Sequence, residues 1–353
     1  MKINFLINSL QGGGTEKVCC QIASDLADRG RKVNVYVLDD NGAFYHISKN
    51  VNVIYLGKAT TSRSFGKIYR LIKNIKDEGG RLLVFNHELA LVSLLVKRLF
   101  RLNVRIVSRI NNTFSATIKY KSLKYRMVLY PLMKVFYRYI DGFIFQSQGI
   151  KEDMINNYGV KQNFKVINNP VHKVVLTEYK NSPKNDYILF VGRLVEQKNV
   201  DDTIKAFKEF SRQVSGYKLK IVGDGPEKER LMNLCKQLGV GDSVEFLGYQ
   251  RDTLPLFYNA AVTVLSSYNE GFPNVLLESL AVGTPIVSYD CPSGPRDIIE
   301  KDNGILVEHL NIRDLATGIS QATSKEWDSE KLANTLNKYS IEHITKEYYD
   351  FIK

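Results

Sequence analysis

The sequence predicts an α/β protein built from two doubly wound, Rossmann-like domains, and three observations carry that expectation. At 353 residues and 44% hydrophobic content, the chain is long enough for two domains that each bury a core. Short apolar runs alternate with longer stretches of helical period, the pattern of parallel strands joined by crossover helices. The alternation restarts after a polar, lysine-bearing stretch, Asn168–Asp186, which contains Pro170 and Pro183.

In the first half the expected strands are Lys2–Ile7, Lys32–Leu38, Val51–Leu56, Leu82–Phe85, Arg105–Val107 and Gly142–Phe145. In the second half they are Tyr187–Val191, Lys218–Val222, Val244–Leu247, Val262–Leu265 and Pro285–Ser288. Helices are expected around Val200–Val214, Glu227–Leu238, Pro273–Ala281 and Leu315–Thr323. The division expected is 1–170 and 171–339, with a last helix, 340–353, packing back on the first domain; the segment Lys325–Lys353 offers an apolar face of Tyr339, Ile344, Tyr348, Tyr349 and Phe351. In such folds a ligand lies at the carboxyl ends of the strands.

Composition narrows the class. The opening MKINFLINSL reads as a strand and a loop, not as a secretory signal. The most apolar stretch, Leu82–Phe100, is interrupted by Asn86, His87, Glu88, Lys97 and Arg98 and falls short of a membrane span. Four cysteines without a CxxC pair fit unpaired thiols in a reducing compartment, so a cytoplasmic location is expected. The net charge of +12 is uneven. Residues 1–170 hold 27 Lys+Arg against 11 Asp+Glu, whereas residues 171–353 hold 22 against 26. A basic half beside a mildly acidic one points to an anionic partner surface, and the absence of a recognisable nucleic-acid motif leaves lipid as the favoured one.

The densest chemistry lies in Tyr268-Asn-Glu270-Gly271-Phe272-Pro273-Asn274-Val275-Leu-Leu-Glu278, just after a strand. Gly271 permits a tight turn and Pro273 suits the first helical position, so backbone amides near Phe272, Asn274 and Val275 would face an anion such as phosphate. Glu270 and Glu278 flank that site and suit hydroxyl groups, so one carboxylate on each side of a diphosphate would hold a hexose and a ribose. After another strand, Gly192-Arg193 and Lys198 place two cations in one loop. Together they can neutralise the charge building on a departing diphosphate. Near the amino terminus, Gly12-Gly13-Gly14-Thr15-Glu16-Lys17 lets backbone approach a phosphate, although it matches neither GxGxxG nor the Walker pattern.

Taken with Gly223-Asp224-Gly225-Pro226 and Cys291-Pro-Ser-Gly294-Pro-Arg-Asp297, these elements resemble the large retaining glycosyltransferase family 4, which has the GT-B fold. The resemblance spans nearly the whole chain and is strongest from Tyr187 to Val307. It implies a donor site of Gly12, Gly13, Gly14, Gly192, Gly225, Gly271, Phe272, Pro273, Asn274, Val275 and Glu278, and a catalytic set of Glu270, His87, Arg193 and Lys198. Within it Glu270 contacts the donor hexose, Glu278 the ribose, Arg193 and Lys198 the diphosphate, and His87 the donor sugar. The sequence departs from the family at Asp297, where many members have glutamate, and at Ser108–Asn112, where several carry a histidine-containing loop. The Cys-Pro-Ser-Gly-Pro version is similar to that of bacterial transferases extending lipid-linked saccharides. The resemblance thus implies a hexose or N-acetylhexosamine donor, activated by UDP, and a polyprenyl-diphosphate-linked saccharide acceptor in surface polysaccharide synthesis, such as capsule or O-antigen.

No Asp-x-Asp occurs in the chain, and a lysine–arginine pair can stand in for a divalent cation, so neither metal nor cofactor is expected. The segment Lys119–Arg138 combines apolar Leu123, Met127, Val128, Leu132, Val135 and Phe136 with many cations and interleaved tyrosines, the composition of a helix lying in a lipid interface. Pro131 should break or kink it. Arg109, Asn111, Lys119, Lys121, Lys124 and Arg126 are therefore the expected acceptor and membrane contacts, and peripheral attachment to the inner face of the cell membrane is expected. Two other readings fit parts of the sequence: a nucleotide-sugar epimerase of the same architecture, and a non-catalytic module binding an anionic surface. The second leaves Glu270 and Glu278 without a task.

Overall fold

The structure, a computed structural model, describes residues 2–39, 41–57, 64–76, 80–118, 123, 125–161, 163–171 and 185–353. It divides into two compact units, Met1–Pro170 with Tyr339–Lys353, and Val171–Lys338. Among the described residues no helix is long and apolar enough to cross a membrane. All four cysteines are free and buried.

The first unit is a seven-stranded parallel sheet: β1 (Lys2–Ile7), β2 (Lys32–Val37), β3 (Asn52–Tyr55), β4 (Arg81–Val84), β5 (Arg105–Ile110), β6 (Gly142–Phe145) and β7 (Phe164–Val166), in the order β3-β2-β1-β4-β5-β6-β7. Successive residues of a strand feed opposite faces. Leu82 and Val84 join one core with the helices Phe65–Ile75 and His87–Leu99, whereas Leu83 and Phe85 join the other with the helix Gly14–Asp28. That second core also takes Ile344, Tyr348 and Ile352, so the last helix, Ile341–Ile352, lies against Gly14–Asp28.

The second unit is a six-stranded parallel sheet: β8 (Tyr187–Val191), β9 (Lys218–Val222), β10 (Val244–Gly248), β11 (Val262–Leu265), β12 (Ile286–Tyr289) and β13 (Gly304–Val307), in the order β10-β9-β8-β11-β12-β13. The chain winds outward from β8 to β10, then returns to pair β11 on the other side of β8. The order therefore reverses between β8 and β11, and their carboxyl ends open side by side, where ligands of such sheets bind.

Two strands escaped the sequence reading, β7 and β13. Both are edge strands with no fully buried run to mark them: β7 has three residues, all half-buried, and β13 directly follows the turn-forming Asp302-Asn303. Pro131 changes the class of helix instead of ending it. Residues Tyr125–Leu129 form a π-helical turn, and Tyr130–Phe136 continue as α-helix with the proline in its first turn, where a missing N–H costs little.

Candidate functional site

In the second unit the loops after β8, β9, β11 and β12 gather at one edge of the sheet. The β8 and β9 loops are laced by backbone bonds, Gly192 N to Val222 O at 2.9 Å and Leu194 N to Asp224 O at 2.9 Å. Gly223 lies at φ +132°, and a Cβ there would strike the Gly192 carbonyl, so only glycine permits this approach. The β8 and β11 loops are tied reciprocally: Tyr268 N donates to Gln197 O at 2.9 Å, and Gln197 Nε2 donates to Asn269 O at 2.8 Å. Ser266 Oγ donates to Asn199 O at 2.8 Å, which fixes the turn carrying Lys198. The β12 loop closes over the same place, with Ser293 Oγ donating to Gly271 O at 3.1 Å. Gly294, at φ +89°, leaves room for Pro273.

These ties put two predicted residues in direct contact. Lys198 Nζ donates to Glu270 Oε1 at 2.6 Å, and Ser267 Oγ donates to the same oxygen at 2.6 Å. The Glu270 side chain is 9% exposed and that of Lys198 is 21% exposed. In the structure the lysine neutralises the glutamate. One carboxylate oxygen is committed to the protein, and Oε2 is the one left to accept a hydroxyl. Arg193 is exposed at the mouth of the β8 loop, without a carboxylate partner among the described residues. Burial pushes the nearby Cys291 thiol well up, with the Glu270 charge adding to the effect, so this buried sulfur stays protonated and is no nucleophile.

The helix expected from Pro273 begins one residue later and runs Asn274–Ala281, because Pro273, at ψ 105°, is its cap. Asn274 and Val275 therefore form its first turn, Gly271 and buried Phe272 lead into it, and Glu278 stands half-buried just beyond that turn. Gly225 packs against the Leu194 carbonyl.

In the first unit β1, β4 and β5 are neighbours, so the segments beyond their carboxyl ends bring Gly12–Gly14, His87 and Asn111 to one edge of that sheet. Asn86 caps the helix His87–Leu99, accepting from Glu88 N at 2.8 Å, which places His87 at the first helical position. The imidazole packs edge-on against Phe114, with ring centroids 4.5 Å apart, and its Nε2 meets the Tyr125 hydroxyl in a short hydrogen bond. Tyr137 Oη donates to His87 O at 3.1 Å. Burial and the Glu88 charge push Tyr125 well up, so its hydroxyl keeps its proton at neutral pH. A carboxylate oxygen of Glu16 folds over Gly13, and burial raises that carboxyl above its usual range.

The acceptor-side expectation needs correction. Arg109 is fully buried, its Nε donating to Tyr348 Oη at 2.8 Å and its Nη2 to Asn169 Oδ1 at 2.7 Å. It binds the last helix to the sheet and offers nothing to a surface. Asn111 donates to Thr15 Oγ1 at 2.6 Å, which joins it to the glycine loop. Arg126 is exposed on the π-helical turn, and Lys119, Lys121 and Lys124 lie outside the described residues. The apolar list of that segment splits. Leu132 and Phe136 pack against the core, whereas Leu123, Met127, Val128 and Val135 are large exposed hydrophobics.

Sequence reasoning passed over Ser267 and Tyr125. Ser267 lies within the β11 loop, and only its contact with Glu270 distinguishes it. Tyr125 stands 38 residues from His87, a separation that no local pattern bridges.

Two doubly wound units, each with its loops gathered at the carboxyl ends of its strands, give the architecture of the GT-B fold, and comparison with known proteins identifies the family. Residues 12–173 match the model of Glycosyltransferase Family 4 and residues 175–343 that of Glycosyl transferases group 1, and the chain belongs to the GT-B glycosyltransferases of family 4. The amylovoran biosynthesis glycosyltransferase AmsD of Erwinia amylovora is 26% identical, with 99% of each chain covered. The Campylobacter jejuni GalNAc-alpha-(1->4)-GalNAc-alpha-(1->3)-diNAcBac-PP-undecaprenol alpha-1,4-N-acetyl-D-galactosaminyltransferase is also 26% identical, over 100% of this chain and 98% of the relative. Among solved structures, Anabaena Alr3699/HepE in complex with UDP superposes with a TM-score of 0.78 at 21% identity, covering 99% of both chains, a likeness of fold.

Proposed function

We propose that this glycosyltransferase moves a hexose or N-acetylhexosamine, with retained anomeric configuration, from a UDP-sugar to a lipid-linked saccharide during bacterial surface polysaccharide synthesis. The observation that carries the reading is the neutralised carboxylate at the sheet's switch point: Glu270, held by Lys198 and Ser267, with Oε2 left over and the Arg193 guanidinium in the same loop system. A carboxylate fixed in this way accepts a sugar hydroxyl without repelling the adjacent diphosphate, and Arg193 supplies a bidentate fork for that diphosphate. UDP is supported by the nucleotide held in the Anabaena structure, and the acceptor class by the printed name of the Campylobacter relative.

The chemistry follows from what the site lacks and holds. Cys291 is buried and protonated, and Glu270 is tied to a lysine, so neither suits attack on the anomeric carbon. The acceptor hydroxyl instead attacks from the face the diphosphate leaves. The new C–O bond forms as the old one breaks, and the proton passes to the departing diphosphate oxygen, which Arg193 stabilises. Metal is not required in this scheme because the cationic side chain takes that charge. The basic first unit receives the acceptor, His87 contacts the donor sugar, and the exposed apolar and cationic side chains of 123–139 rest on the inner face of the membrane.

A panel of nucleotide sugars incubated with a polyprenyl-diphosphate saccharide, with products read by mass and anomeric configuration, tests this. One UDP-sugar should give a product one sugar larger with retained configuration, in the presence of EDTA. Inversion, strict dependence on manganese, or conversion of the UDP-sugar without acceptor would each overturn part of the proposal.

A further inference from the structure

A cavity of about 530 Å³ opens on the first unit between the run Tyr130–Tyr139 and the turn that joins the helix Gln148–Tyr158 to β7. Three cations line it, Lys134, Arg138 and Lys161, with the amides of Asn157 and Asn163 beside them. All three cations are exposed, and none is held by a carboxylate among the described residues. Neighbouring lysines behave differently: Lys97 is paired with Asp141 at 2.6 Å and Lys165 with Glu347 at 2.8 Å. Lys134 and Arg138 instead lie over aromatic rings, Tyr130 at 5.0 Å and Tyr139 at 5.1 Å.

A plain alternative is that the cations answer the helix Gln148–Tyr158, which ends at the left-handed Gly159 on the cavity wall. A helix carboxyl end carries about half a negative charge, and three cations exceed that several-fold. The surplus suits an anion of one or two charges that also carries groups for amides, which describes a phosphate ester. The surroundings narrow its source. Val135, 47% exposed, and Tyr139, 39% exposed, alternate along the chain with the two helical cations, and Met127 and Val128 lie exposed one to two turns earlier. Exposed apolar and aromatic side chains interleaved with cations are the signature of the lipid interface.

We propose that this cavity binds the phosphodiester headgroup of an anionic phospholipid, with Val135 and Tyr139 entering the adjoining acyl boundary. The proposal rests on the peripheral-membrane reading above and adds a defined site to it. A diffuse basic surface responds equally to any lost charge, whereas a site responds to its own.

The test is flotation of the full chain with phosphatidylcholine vesicles, with and without phosphatidylglycerol. Wild type is compared with Lys161→Gln, Lys134→Gln and the charge-matched Lys49→Gln, which lies on an exposed loop between β2 and β3. Losing a charge-assisted contact in the cavity should weaken binding about 10-fold or more. The Lys49 change should weaken it no more than about 5-fold, the effect of one charge near a membrane. Equal losses for all three variants would overturn the site while leaving membrane attachment standing. Failure of wild type to float with anionic vesicles would remove the attachment reading and the lipid site with it. Release of bound protein by inorganic phosphate at concentrations where chloride has no effect would reassign the cavity to a soluble phosphate.

Discussion

Replacing Lys198 by methionine leaves Glu270 as a nearly buried carboxylate whose remaining protein donor is a serine, and the consequences can be worked from the contact. At 2.6 Å and an effective dielectric constant near 20, the gross attraction is about 6 kcal/mol. Removing both charges from water takes back most of that, so the pair itself is worth little compared with an apolar pair of the same shape. Breaking it from one side is different, because the survivor keeps its desolvation cost. That cost is about 3–5 kcal/mol for a fully buried pair, and about 2–3 kcal/mol is expected here because Lys198 retains 21% exposure. Lys198→Met should therefore lower the melting temperature by roughly 5–10 °C. Glu270→Gln should cost less, since the stranded ammonium can turn to solvent. The double variant should be more stable than the sum of the singles predicts, and the excess is their coupling. In activity, Glu270→Ala should lower turnover about 100-fold or more while the protein stays folded. Denaturant unfolding of the four members of the cycle, with donor turnover measured on wild type and Glu270→Ala, checks both statements. Additive stabilities within about 0.5 kcal/mol would refute the coupled pair, and near-normal turnover in Glu270→Ala would refute its role.

Tyr125→Phe should reduce kcat while leaving the melting temperature nearly unchanged, because the hydroxyl on His87 Nε2 orients the ring; in a His87→Ala background the same change should do nothing more, and an equal effect in both backgrounds would dismiss the link. Arg109→Met should strip the last helix of its buried donor, so amides of Ile341–Ile352 should lose protection from hydrogen exchange while those of Asn274–Ala281 keep theirs; lost activity with full protection would return Arg109 to the acceptor side. Glu16→Gln should stabilise the protein at neutral pH. The wild-type carboxyl has a folded-state pKa raised by burial, so its ionisation is penalised above that value. The gain should shrink as pH falls through the window and vanish below the ordinary glutamate value of about 4.3; a pH-independent difference would refute the cause.

The elements most legible in the sequence were those whose physical cause is local. Strands buried on both faces write themselves as continuous apolar runs, as in β6 and β8, and β1, β9 and β11 also have their expected bounds to the residue. The glycine-rich turns were visible because close approach of backbone excludes every other residue, as at Gly223 against Gly192. What stayed hidden was set by pairing across the sheet. Lys198 and Glu270 lie 72 residues apart and meet only because β8 and β11 become neighbours when the winding reverses. Each looked like an independent ligand group, yet together they form one neutralised unit. Arg109 shows the same limit in the opposite sense. An arginine beside asparagines in a basic half reads as surface, yet Asn169 and Tyr348, the latter on the last helix 239 residues away, hold it inside. Charge type is written in the sequence, but whether a charge faces a ligand or another part of the chain is decided by topology. Arg193, Lys134, Arg138 and Lys161 have no carboxylate partner among the described residues, and for these exposed cations a partner is to be sought outside the protein.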